Sequence, residues 1–194
     1  MKKLNIPVLQ YYEVYTVCTS RVSDTDYKLR LDQSALEMSR KAEEYNNLAR
    51  VESLCTISGI FARRGDDPVI INGLRKSQLM DLYSIQFSQK GRHFRDKIMV
   101  AANDKCPFCG GIGQTAELDH YLPKGKYPKL SFVPVNMIPC CVECNSDKLE
   151  IHPVSSETHF LHPYFDTIDE KWLECKFDRF NDRIPTFRYK ISTS

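Results

Sequence analysis

Five of the eight cysteines crowd into residues 106–144, and their spacing points to metal chemistry. Cys106-Pro-Phe-Cys109 runs into Gly110 and Gly111. On such a turn two thiolates can face one ion while the glycines let the backbone fold back. One CxxC alone is ambiguous, because redox pairs share it. Cys141-Val-Glu-Cys144, separated from the first pair by 31 residues, completes the four soft ligands of a closed tetrahedral Zn²⁺ site. Cys140 can replace Cys141 through a wider loop, but the matched CxxC spacing favours Cys141 and leaves Cys140 as a buried neighbour. Four thiolates leave no open position for water, so such a zinc is structural and any reaction belongs to other residues.

Between the knuckles lies the stretch ELDHYLPKGKYPKLSFVPVN. Asp119 and His120 end a short strand-like run, a basic loop punctuated by proline follows, and Asn136 introduces a second apolar run. A helix is expected after Cys144. The order C-x-x-C, L-D-H-x-x-P-K, N, C-x-x-C-N-x-x-K resembles the zinc-bearing branch of the HNH (ββα-metal) endonucleases, over about 45 of the 194 residues. The matching positions are His120, Asn136 and Asn145, an HNN version of the motif.

The resemblance implies a set of roles. His120 is the expected general base, because a neutral imidazole can take a proton from the attacking water. Asp119 offers the hard anionic oxygen that a catalytic Mg²⁺ or Mn²⁺ prefers, and Asn145 a neutral amide oxygen. Asn136 is expected to fix the loop and the orientation of His120 by hydrogen bonding rather than to touch the metal. Lys148, one turn after Asn145, is read as a phosphate contact or an ordinary exposed lysine. Lys124, Lys126 and Lys129 interleave with Tyr121, Tyr127 and Pro128 on the loop, which suits contact with a nucleic-acid backbone without base reading.

A softer likeness extends past the motif. LDHYLPK at 118–124 and HPYFD at 162–166 occur together here and resemble a bacterial subgroup of HNH proteins. Some of these act beside an ATPase subunit in anti-phage modules of the Septu type. The partners implied are DNA, or RNA as the other substrate the motif admits, and an ATPase. No single residue in the chain shows the defence role. His152, His159 and His162 adjoin proline-rich turns and are read as structural.

Those residues need a scaffold. Leu31, Ala35, Met38, Ala42, Tyr45 and Ala49 recur at alternating steps of four and three, the mark of an amphipathic helix. Tyr11 to Val17 is apolar enough for a helix or strand packed on it, and the following TSRVSDTD carries turn and cap residues. The 62–73 stretch breaks the pattern with Gly and Pro. Helical spacing resumes through Leu79, Leu82, Tyr83 and Phe87 with Ser77 as N-cap, and GRHFRDKIMVAA reads as another helix. Beyond residue 150 the chain alternates in places as strands do. Its aromatics Tyr164, Phe165, Trp172, Phe177, Phe180 and Phe187 suggest a cover over the module. The expectation is an α+β protein: a helical scaffold or docking region at 1–104, the zinc module at 105–150, and a mixed extension at 151–194.

Composition sets looser limits. Hydrophobic residues at 42% and charged residues at 27% fit an ordinary folded chain. The net charge of +2 permits a nucleic-acid partner without requiring one. No apolar run reaches the length of a signal peptide or membrane span, so a cytoplasmic protein with no membrane partner is expected. Two other readings use the same cysteines. A non-catalytic zinc module that binds nucleic acid or protein has no need of Asp119 beside His120, and a redox dithiol protein has no need of a second knuckle.

Overall fold

The longest apolar stripe builds the longest helix. The computed structural model describes residues 3–63, 65–166, 173–178 and 186–191. In it α2 spans Thr25–Arg50 and buries Leu31, Ser34, Met38, Ala42, Tyr45 and Ala49 along one face. Asp24 caps it by accepting the Tyr27 N–H at 2.8 Å. Before it, α1 (Tyr11–Ser20) is a helix, and its Tyr15 hydroxyl donates to the Leu31 carbonyl at 2.6 Å.

The break after residue 62 contains a small hairpin, β1 (Val69–Ile71) and β2 (Leu74–Arg75). Asn72 and Gly73 turn it with φ of 44° and 76°, the paired positive values that an Asn-Gly hairpin turn needs. From there α3 (Lys76–Asp81) runs into a π-helical stretch, Leu82–Lys90, before α4 (Arg92–Val100). Ser77 does not cap α3 as its spacing suggested. It lies inside the first turn, where its own N–H and hydroxyl are held by the Asp67 carboxylate at 2.8 and 2.7 Å.

The metal-bearing segment is a strand pair and a short helix: β3 (Glu117–His120), β4 (Met137–Cys140) and α5 (Val142–Lys148). The strands are antiparallel, with Glu117 opposite Cys140, Asp119 opposite Ile138 and His120 opposite Met137. This segment shares its core with the helices. One cluster joins Leu118, Phe132 and Met137 to Val14, Tyr15, Leu31, Phe87 and Phe94. Another joins Tyr121, Leu122, Val133 and Ile138 to Ala42, Tyr45 and Ala49. Phe132 alone stacks on Tyr11 and tilts against Tyr15, with ring centroids 5.6 and 5.7 Å away. The architecture is α+β.

The tail divides. Tyr164 is buried and its hydroxyl donates to the Met137 carbonyl at 3.0 Å, so the 162–166 turn does close over β4. Strands β5 (Leu173–Asp178) and β6 (Thr186–Ile191) form a separate antiparallel hairpin. Phe177 and Phe187 on it are more than half exposed and pack on each other, so they do not cover the module as expected. Trp172 and Phe180 lie outside the described residues. No described helix is long and apolar enough to cross a membrane.

His162 bolts the tail turn to α2. The Tyr164 N–H donates to its Nδ1 at 3.3 Å, which leaves the ring proton on Nε2, 3.0 Å from the Tyr45 hydroxyl. Burial holds its pKa down at about 3, against 6.5 for a free side chain. The unfolded chain therefore binds a proton that the folded chain refuses. The stability due to the neutral ring is complete above pH 6.5 and is lost as pH falls toward 3. In denaturant melts, the advantage of the unmodified protein over His162→Gln should shrink by about 1.4 kcal/mol per pH unit below about 6.5. An advantage that stays constant from pH 7 to 5 would contradict this.

Candidate functional site

Four thiols converge where the two knuckles meet. The sulfurs of Cys106, Cys109, Cys141 and Cys144 all lie within 4.8 Å of one another. Four sulfurs around a tetrahedral zinc sit roughly 3.8 Å apart, so the donor set fits that ion and can hold it. The backbone is shaped for thiolates: the Gly113 N–H points at Cys109 Sγ at 3.2 Å and the Cys144 N–H at Cys141 Sγ at 3.5 Å. Gly110 and Gly111 take φ of 70° and 94° to close the first knuckle. A side chain at Gly113 would meet Cys141 Sγ at 2.7 Å, so only glycine fits beside that thiol.

Cys140 is outside this group. It is fully buried, and its sulfur faces the Glu117 carbonyl at 3.9 Å. Cys141 directly follows β4, caps α5 and contributes its sulfur to the cluster. It thus fixes where α5 begins, and with it the positions of Asn145 and Lys148 against β3.

Asp119, His120, Lys124, Asn145 and Glu150 line one cleft of about 150 Å³ next to the cluster. His120 is 4% exposed. Its Nε2 lies 2.6 Å from the Ser131 carbonyl oxygen, which can only accept. Nε2 therefore carries the ring proton, and Nδ1 keeps the lone pair. Burial lowers the His120 pKa to about 3, with Lys124 and Lys148 pushing the same way, so the ring is a neutral base at any ordinary pH. The Tyr83 ring meets it edge-on at 4.5 Å.

Asp119 is nearly as buried, and desolvation pushes its carboxyl pKa up against the opposing pull of Lys148. The Lys148 ammonium is 3.0 Å from Asp119 Oδ2 and donates to the His120 carbonyl at 2.8 Å. The same ammonium donates to Asp119 Oδ1 at 3.4 Å, so it serves the whole carboxylate, and Oδ2 has no other donor. A carboxylate and an amide oxygen are hard donors of the kind Mg²⁺ or Mn²⁺ prefers, and an ion at Asp119 would have to displace the Lys148 ammonium. With its side chain only 10% exposed, Lys148 is not the surface lysine of one sequence reading.

Asn136 holds the loop. Fully buried, it accepts the Leu122 N–H at 2.8 Å and donates to the carbonyls of Leu122 and Leu130 at 3.1 and 3.0 Å. Among the loop lysines, Lys124 lines the cleft with its ammonium 5.3 Å from the Tyr83 ring centre. Lys126 turns toward the Glu150 carbonyl and His152, each 3.4 Å away. Lys129 is paired with Glu37 on α2 at 2.8 Å. Of the three loop lysines, Lys124 is the one that lines the cleft.

His159 pairs with Asp166 at 3.0 Å and His152 meets the Glu150 carbonyl at 2.9 Å. Sequence reading missed two participants. Tyr83 comes from a distant helix, and nothing local marks it. Glu117, whose Oε2 accepts the Asn145 Nδ2–H at 2.5 Å, was legible from its place two residues before Asp119, hence on the same face of a strand.

Exchanging the two adjacent cysteines separates their roles. Cys140→Ser should keep about one zinc per chain, while Cys141→Ser should lose most of it, read by metal analysis after gel filtration. Equal retention in both variants would contradict the assignment.

No family model matches the chain, and no solved structure matches it. A protein of Escherichia phage lambda named Protein ea31 is 29% identical over 184 residues, 91% of this chain and 62% of its own length. The chain therefore spans less than two thirds of that relative, whose name states no activity.

Proposed function

We propose that this protein hydrolyses phosphodiester bonds in DNA, as a zinc-stabilised HNH endonuclease. The observation that carries the reading is the pairing of two things in one cleft. One is His120, neutral and with its tautomer fixed by the Ser131 carbonyl; the other is the buried Asp119 carboxylate, whose Oδ2 has no partner besides the Lys148 ammonium. His120 Nδ1 takes the proton from water as the water oxygen bonds to phosphorus, and the bond to the departing 3′ oxygen breaks opposite. General-base help of this kind is worth about 10²- to 10⁴-fold. Bound by Asp119 and Asn145, Mg²⁺ or Mn²⁺ supplies electrostatic stabilisation of the charge that builds at the phosphate. Lys124 offers a cation to the same phosphate or its neighbour. The four-cysteine zinc holds the frame. RNA, an ATPase partner and an anti-phage setting rest on the motif resemblance alone.

A second reading has one observation in its favour. The Lys148 ammonium already neutralises Asp119, as it would in a zinc module that binds nucleic acid or protein without cutting. Plasmid nicking in Mg²⁺ or Mn²⁺ separates the two. His120→Ala should lower the rate at least about 100-fold with zinc content and circular dichroism unchanged. Equal nicking by that variant would sink the mechanism, and zinc-loaded protein that binds DNA without nicking it would favour the second reading.

A further inference from the structure

The Asn145 amide has a direction that chemistry forces. Its neighbour on β3 is the Glu117 carboxylate, 2.5 Å from Nδ2. An ionised carboxylate has only acceptors, so the nitrogen must face Glu117 and the amide oxygen must face away from it. Glu117 and Asp119 stand two residues apart on one strand and so share a face, and α5 packs on that strand. Asn145 lines the Asp119 cleft. Without an anion at 117, nothing among the described contacts of the Asn145 side chain decides which end of the amide meets that cleft. A side chain that presents NH₂ to a cation repels it.

From this we infer that Glu117 is a positioning residue for the candidate metal site: it locks Asn145 so that an oxygen, not a nitrogen, is offered to a divalent cation. The inference rests on the ion-site part of the proposed function and deepens it. A charge-assisted hydrogen bond also draws electron density toward Oδ1, which makes that oxygen a better donor to the ion. Glu117 itself need not touch the ion. Glu117 is not among the four thiol donors, so zinc content serves as an internal control for the fold of the knuckles.

The test is Mn²⁺ binding to the zinc-loaded 194-residue chain, read by the electron paramagnetic resonance signal of free Mn²⁺. Glu117→Ala should weaken binding about 10- to 100-fold, the usual effect of losing a residue that orients a metal ligand. Glu117→Gln, whose amide oxygen can still accept from Asn145, should recover most of that loss. In an Asn145→Ala background, Glu117→Ala should add less than about twofold, because the group it orients is gone. Zinc content should stay constant throughout. Equal losses with and without Asn145 would overturn the positioning role, since Glu117 would then act on the ion by itself. Failure of the unmodified protein to bind Mn²⁺ would overturn the ion site and the inference with it.

Discussion

The candidate site depends on one thiol. Cys141 directly follows β4, caps α5 through its sulfur and sits in the four-cysteine cluster, so a single residue ties strand, helix and metal-binding group together. Helix α5 has only seven residues, too few to be stable by itself in water. Its start is fixed by Cys141 and its second knuckle sulfur by Cys144. Asn145 and Lys148, one turn apart, then have no choice but to face β3. A zinc ion there would convert loose geometry into a rigid frame, with binding energy that is also folding energy.

The frame is not self-sufficient. The β3–β4 pair buries Leu118, Met137 and Ile138, and the connection between the strands buries Phe132, among residues of α1, α2 and α4. Tyr83, from the π-helical stretch, packs on the His120 ring and holds Lys124 over its face. The helices thus bury the His120 ring and keep it neutral. In the proposed mechanism a base held near pKa 3 is always available but weak, so the ordering of the ring has to do part of what basicity would.

Much of this was legible in the chain. The cluster followed from spacing, because a CxxC turn permits few geometries. The long helix followed from a stripe that only a 3.6-residue period explains. Contacts between distant segments were not legible. Lys129 reads as part of a basic loop until Glu37, 92 residues away, is seen to pair with it. Ser77 has the right residue type for a cap, but Asp67 reaches it from another turn. The Phe177 and Phe187 aromatics suggested burial by composition, yet they lie on a hairpin whose described side chains are exposed. Glu117 was readable from strand periodicity, and only the position of Asn145 across from it shows what that meant.

The central claim is that His120 and the Asp119 cleft can cut a phosphodiester bond. A small substrate tests it without nucleic-acid docking or any protein partner: hydrolysis of thymidine 5′-(p-nitrophenyl phosphate) by zinc-loaded protein with Mn²⁺, followed by nitrophenolate release. The account predicts turnover that His120→Ala and Asp119→Ala each abolish while zinc is retained. Turnover unchanged in His120→Ala, or none in the unmodified protein with Mn²⁺ bound, would contradict it.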